Sequence, residues 1–131
     1  MRYMGIDYGT KKIGVAFSNE DGTMAFPHSV LPNDASLSSA LETLIEEKGV
    51  EEMVVGHSKN RDGSENVVQG NIDSFIGDMT LRTGLPIHLE PEEYSTKEAL
   101  RLQGRTKMTD ASAAAIILNS YLNKLSHSDD A

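Results

Sequence analysis

The order of strand-like and helix-like segments is the feature that most constrains the fold of this chain. Residues 36–48 place apolar side chains at helical spacing, and the segment closes with Lys48-Gly49, a typical helix end. A short apolar run over residues 52–56 follows and predicts a buried strand. Because two strands joined through a helix usually lie parallel in one sheet, this order predicts an α/β fold with parallel pairing.

Three strand patterns precede that helix. Residues 2–8 lead into a glycine turn, residues 13–18 follow, and Asp21-Gly22 is a hairpin signal before residues 24–31. Pro27 lies inside the third pattern, so we predict an edge strand or a bulge there. The three strands are expected to pair antiparallel.

The second half of the chain alternates between helix and strand patterns. It predicts a helix over 67–81, a strand over 86–89, a short helix over 95–103, a basic loop over 104–108 and a final helix from Thr109, which can cap it, to Leu125. The whole pattern predicts an α/β fold with a mixed five-stranded sheet, in which three antiparallel strands are followed by parallel strands and helices cover both faces.

Length and composition predict a single domain. The chain has 131 residues, and we assign the domain to 1–125 and a polar, frayed C-terminal tail to 126–131. No run of about 18 apolar residues is present, so no membrane partner is expected. The chain has no cysteine and its start lacks a signal-peptide pattern, which together predict a cytoplasmic location.

The charge distribution is more informative than the net charge. A net charge of −8 argues against binding nucleic acid by bulk electrostatics. Basic side chains nevertheless gather after predicted strands and before the last helix, where they would contact backbone phosphates or, alternatively, form an ordinary solvated surface. The candidates for nucleic-acid binding are Lys11, Lys12, Lys59, Arg61, Arg105 and Lys107.

Three carboxylates stand at comparable places in the predicted fold. Asp7 lies inside the first strand, where aspartate is disfavoured, so it indicates a metal or phosphate site or else a cap on the following turn. Glu92 follows the last strand and is otherwise a solvated loop charge, and Asp110 opens the last helix, where it can complement the helix dipole. Taken together, they suit Mg²⁺ or Mn²⁺, which prefer carboxylate oxygens.

Four sequence blocks resemble the YqgF family of RNase H-like nucleases, also described as Holliday junction resolvase-like proteins. They occur in the family's order and span residues 4 to 122. The first block is Gly5-Ile6-Asp7-Tyr8-Gly9-Thr10-Lys11-Lys12-Ile13-Gly14-Val15-Ala16, and the second is Val54-Val55-Gly56 with Asp62-Gly63-Ser64-Glu65. The third is Glu92-Glu93-Tyr94-Ser95-Thr96-Lys97-Glu98-Ala99, and the fourth is Thr109-Asp110-Ala111-Ser112-Ala113-Ala114 with Ile117-Leu118 and Tyr121-Leu122.

The resemblance implies an RNase H-like fold and a catalytic, metal-binding triad of Asp7, Glu92 and Asp110, with two Mg²⁺ or Mn²⁺ ions. It implies a nuclease that matures the 5′ end of pre-16S ribosomal RNA. The expected partners are that RNA, ribosomal particles and, for a resolvase-like activity, branched DNA. The chain itself is expected to be a monomer or a weak homodimer.

The chain departs from the family pattern around the third block. Glu93 stands where the family usually has an arginine, and Glu90 lies close by, so Glu90 or Glu93 could take the place of Glu92 as a ligand. Three other polar side chains near the blocks are predicted to be structural: Tyr8, His57 and His88.

Two functions of other classes remain open from the sequence. Asp7-Tyr8-Gly9-Thr10 also resembles the phosphate loop of actin-like sugar and acetate kinases, although those enzymes close two domains over a nucleotide. A non-catalytic nucleic-acid-binding module for ribosome assembly would agree with the acidic net charge. Cleavage of DNA junctions would use the same chemistry as RNA processing on a different substrate.

Overall fold

The computed structural model describes residues 1–9, 11–57, 65–90 and 110–129. Its strands are β1 (Tyr3–Tyr8), β2 (Lys12–Ser18), β3 (Ala25–Pro32), β4 (Glu52–His57) and β5 (Ile87–Leu89). The helices within the described ranges are α1 (Leu37–Lys48), α2 (Glu65–Thr83) and α3 (Asp110–Asp129).

The strands form one mixed five-stranded sheet in the order β3-β2-β1-β4-β5. β1 pairs antiparallel with β2 and parallel with β4, so the first strand lies at the centre of the sheet. β3 is an edge strand, and its register with β2 shifts at the residue after Pro27, where Val15 pairs with Ser29 and Ala16 with Pro27. The predicted mixed sheet and the irregular edge strand are therefore both confirmed.

The two faces of the sheet are covered by different helices. Successive side chains of a strand point to opposite faces, and in β1 Met4, Ile6 and Tyr8 pack with α1 and α2. Tyr3 and Gly5 lie on the other face, against α3. Asp7 continues that second series, so its side chain faces the α3 layer.

The helix ends differ in detail from the sequence prediction. α1 ends at Lys48, and Gly49 adopts the left-handed conformation (φ +66°) while its N–H donates to the Ile45 carbonyl, as a glycine stop should. α2 is longer than the predicted 67–81 at both ends. The predicted short helix over 95–103 and the basic loop over 104–108 lie outside the described residues.

α3 extends past the predicted end of the last helix. It continues to Asp129, four residues beyond Leu125. Within the described part of the chain, no helix has the length and apolar character needed to cross a membrane.

Candidate active site

Asp7 lies near the carboxyl end of the central strand, between two glycines of the neighbouring strands. Its register partners are Gly14 on β2 and Gly56 on β4, and the residue is only 6% exposed. β1 is hydrogen-bonded along both edges, so the backbone that carries this carboxylate is fixed on both sides. A desolvated carboxylate is costly in a sheet interior, which indicates a role beyond packing.

α3 runs antiparallel to β1, with its first residue toward the Asp7 end. The rings of Tyr121 and Tyr3 lie 6.0 Å apart, whereas one helical turn earlier in α3 Leu118 lies against Gly5. From Ala114 to Asp110 the helix advances about 6 Å, and from Gly5 to Asp7 the strand advances about 7 Å. The start of α3 therefore lies toward the end of β1 that carries Asp7.

β5 ends on the same side of the sheet as Asp7, where the carboxyl ends of the parallel strands lie. The Glu90 N–H donates to the Val55 carbonyl at 2.9 Å, which places Glu90 beside Gly56, the register partner of Asp7. Two strand spacings separate Asp7 from Glu90, roughly 10 Å. We use the name Asp7 edge for the region at the carboxyl ends of these strands that is formed by Asp7, Gly56, Glu90 and the first turn of α3. Glu92 and Glu93 lie outside the described residues, as does the side chain of Asp110.

The Glu90 carboxylate contacts α3 through one of its two oxygens. Its side chain is 2% exposed, and its Oε1 accepts a hydrogen bond from Ser120 Oγ at 3.0 Å and lies 2.6 Å from Lys124 Nζ. The sequence did not identify Ser120 or Lys124 as partners. Ser120 and Lys124 are four residues apart, so the sequence could predict that they share one face of the helix. It did not predict that this face packs against the end of β5.

The basic candidates are only partly described. Lys11 and Lys12 are exposed and lie at the turn after β1, next to the Asp7 edge, as predicted. Asn33 fixes this turn, because its side-chain amide donates to the Gly9 carbonyl at 2.8 Å and its backbone N–H donates to the Lys11 carbonyl at 2.9 Å. The remaining four candidates lie outside the described residues: Lys59, Arg61, Arg105 and Lys107.

Two of the polar residues predicted to be structural are confirmed in that role. The ring of Tyr8 packs 5.2 Å from that of Phe75 in the core on the α1 and α2 side. His88 Nε2 lies 2.6 Å from Glu52 Oε1, and the His88 ring stacks on Tyr121 at 4.9 Å. The side chain of His57 lies outside the described residues.

The described residues agree with a hard-cation site but do not complete it. No cluster of three histidine, aspartate or glutamate side chains able to hold a metal ion occurs among them. That result is expected, because two of the three predicted ligands have side chains outside the described part. Asp7 supplies the carboxylate oxygens that Mg²⁺ and Mn²⁺ prefer, at a rigid and largely desolvated position.

The fold is that of RuvC-like resolvases, an RNase H-like class. The chain is similar to Thermus thermophilus RuvC in complex with a Holliday junction substrate, with a TM-score of 0.64 and 16% identity over 96% of both chains. It is also similar to the fowlpox virus Holliday junction resolvase, with a TM-score of 0.56 and 11% identity over 95% of this chain and 99% of that one. At these identities the likeness shows the fold alone.

The family follows from sequence comparison. The chain belongs to the RuvX family, described as Holliday junction resolvase, whose family model matches residues 1–124. A protein of Nitratidesulfovibrio vulgaris named "Putative pre-16S rRNA nuclease" is 38% identical over 94% of both chains. A protein of Maridesulfovibrio salexigens with the same name is 35% identical over 93% of this chain and 98% of that one. The resemblance to the YqgF blocks is thereby confirmed.

Proposed function

We propose that this protein is a divalent-metal-dependent nuclease that hydrolyses phosphodiester bonds and processes the 5′ end of pre-16S ribosomal RNA. The observation that supports it most directly is the buried carboxylate of Asp7, which faces the start of α3 at the carboxyl end of the central strand. Ligands of mixed and parallel sheets bind at this end. The relatives named as pre-16S rRNA nucleases cover nearly the whole chain.

In this proposal Asp7, Glu92 and Asp110 hold two Mg²⁺ or Mn²⁺ ions. The ions, when bound, supply an activated water and stabilise the leaving oxygen of an in-line displacement. Asp7 contributes a fixed carboxylate, because β1 is paired on both sides and allows its backbone little movement. Three carboxylates leave a net positive charge beside two divalent ions, and this charge attracts the scissile phosphate.

Lys11 and Lys12 would hold the RNA backbone beside the Asp7 edge. Both are exposed at the turn that Asn33 fixes, so their ammonium groups can contact phosphates without reading bases. The net charge of −8 repels RNA over most of the surface. We therefore expect assembling ribosomal particles in the cytoplasm to present the RNA, with the protein acting as a monomer or a weak homodimer.

A second candidate function is cleavage of branched DNA. The description of the matched family and the RuvC-like fold favour it. Resolution of a two-fold junction requires two active sites, so this activity would need a dimer. A non-catalytic binding module is the remaining alternative, and cleavage assays separate the three.

The test is cleavage of labelled pre-16S leader RNA and of a four-way DNA junction, each with Mg²⁺, Mn²⁺ or EDTA. We expect the wild type to cut the RNA only with a divalent metal. Asp7→Asn, Glu92→Gln and Asp110→Asn should each lower the rate by about 100-fold or more, because each removes a ligand charge. Glu47→Gln, on an exposed position of α1, is the matched control and should cleave at the wild-type rate.

The outcome chooses between the functions. Cutting of the junction but not of the RNA would replace RNA processing by junction resolution. Binding of either substrate without cutting, under all metal conditions, would establish the non-catalytic module. Wild-type cleavage by folded Asp7→Asn would contradict the metal site itself.

A further inference from the structure

Glu90, Ser120 and Lys124 form a buried polar connection between the end of β5 and α3, which we call the Glu90 clamp. The Glu90 side chain is 2% exposed, whereas that of Lys124 is 55% exposed. Both partners act on the same oxygen, Oε1, with Ser120 Oγ at 3.0 Å and Lys124 Nζ at 2.6 Å. The clamp therefore fixes the direction of the carboxylate as well as its position.

Stability alone does not explain a charge at this position. Removing the Glu90 carboxylate from water is unfavourable, and apolar residues of similar volume often stabilise a fold as well as an ion pair does. The surroundings are suited to apolar side chains, because Ile117 packs on Gly56 beside the clamp. What a directed ion pair provides and an apolar contact does not is a single defined geometry between two elements.

The elements that the clamp joins are those that carry the proposed triad. Glu92 follows Glu90 by two residues, so covalent geometry limits their Cα atoms to about 7 Å apart. α3 begins with Asp110, and the same helix lies directly on Gly5 of the strand that carries Asp7. A shift of the β5 end relative to α3 would therefore change the spacing of the three carboxylates.

We propose that Glu90 is a positioning residue, which sets the place of the end of β5 relative to α3 through its contacts with Ser120 and Lys124. The chain continues from this end directly to Glu92. This inference rests on the proposed function, because it assumes that Glu92 and Asp110 hold metal together with Asp7. In this inference Glu90 acts through α3 and not as a metal ligand, because its Oε1 is engaged by Ser120 and Lys124.

The decisive variant replaces the ion pair by an apolar pair, Glu90→Met with Lys124→Met. Four quantities are measured. They are the melting temperature, the Mn²⁺ affinity by calorimetry after subtraction of binding to Asp7→Asn, and kcat and KM for the substrate that the wild type cuts. We expect a melting temperature equal to or above that of the wild type. Mn²⁺ affinity and kcat should each fall about 10-fold or more, as for other residues that orient metal ligands, while KM stays unchanged.

Two further variants provide the controls. Glu90→Gln keeps an amide oxygen as acceptor for Ser120 and Lys124, so it should recover part of the lost affinity and kcat. Glu52→Gln alters the neighbouring pair with His88, which joins the first residue of β4 to the middle residue of β5, and should leave Mn²⁺ affinity and kcat unchanged.

The results separate this inference from the proposed function. If the wild type binds Mn²⁺ through Asp7 and the double Met variant binds it equally well, Glu90 is structural and the inference is wrong. A loss of melting temperature without a loss of affinity gives the same conclusion. If the wild type shows no Asp7-dependent Mn²⁺ binding, the proposed metal site fails first, and the positioning role is rejected with it.

Discussion

The two faces of the central sheet are lined by different kinds of side chain. The face covered by α1 and α2 is filled by large apolar side chains, including Met4, Ile6, Leu41 and Ile72, each fully buried. The face covered by α3 contains four buried alanines beside larger apolar residues, and it includes the buried carboxylates of Asp7 and Glu90. The first face stabilises the fold through the area it buries, whereas the second brings a helix close to the strands that carry polar groups.

Close approach on the α3 face has a specific cause. A Cβ at Gly5 would lie 2.8 Å from Leu118 Cβ and 2.9 Å from the Ala114 carbonyl oxygen, closer than real Cβ contacts allow. The helix backbone can lie this near to β1 only because Gly5 has no side chain. The comparison predicts that substitutions on the α1 and α2 face change stability. Substitutions on the α3 face should change activity more than stability.

The largest expected effect on stability is at the α1 and α2 face. Leu41→Ala leaves a cavity among fully buried neighbours, and we expect the free energy of unfolding in urea to fall by about 2–5 kcal/mol. Cleavage per folded molecule should stay at the wild-type value, because the Asp7 edge lies on the other face. A cleavage loss larger than the unfolded fraction would contradict this separation.

A smaller loss of stability is expected at the α3 face, combined with a change in activity. Gly5→Ala must displace α3 at Ala114 and Leu118, which should cost about 1–3 kcal/mol of unfolding free energy. The displaced helix also carries Asp110, so cleavage by the folded protein should fall about 10-fold or more. Unfolding in urea and cleavage rates measured at the same temperature check both effects.

Gly77→Ala is the control for that substitution. Gly77 lies in α2, where an added Cβ meets nothing within 4 Å. The exchange should raise stability by about 0.5–1 kcal/mol and leave cleavage unchanged. Equal activities of the Gly5 and Gly77 variants would remove the distinction between the two faces.

The smallest expected effect concerns Tyr121, on the α3 face. Burial, followed by the negative charge of Glu52, raises the pKa of the Tyr121 hydroxyl above its usual value. The stability linked to this neutral hydroxyl is therefore fully present below pH about 10 and is lost as the pH rises through the pKa in the folded state. Between pH 9 and 11.5, unfolding free energy should fall more steeply for the wild type than for Tyr121→Phe, and parallel slopes would contradict the assignment.

The fold was largely predictable because local patterns and topology rules agree along this chain. The hairpin signal at Asp21-Gly22, the irregular edge at Pro27 and the helix stop at Gly49 act over a few residues and are all seen in the structure. Asp7 could be selected as a candidate because aspartate is disfavoured inside a strand whose neighbouring residues are apolar. Such a conflict is visible without knowing the fold.

Other features depended on which elements meet in three dimensions. In the sequence Glu90 was an alternative to Glu92 as a metal ligand. The packing of α3 across the sheet shows in addition that Ser120 and Lys124 contact its Oε1. Asn33, 24 residues after the glycine whose carbonyl it binds, carried no local signal. Hydrophobic periodicity shows which face of a helix is buried, but it does not specify the opposing residues.

The sequence by itself determined the order of the elements, the mixed sheet and the choice of Asp7, since these follow from short-range patterning and from the rules of strand connection. Only the tertiary structure decided that the Glu90 side chain contacts α3, and that the start of α3 lies toward the Asp7 end of β1. The physical reason is that partners distant in sequence meet only when whole elements pack together. Gly5 permits α3 to pack closely on β1, and no local sequence pattern specifies which residues then come into contact.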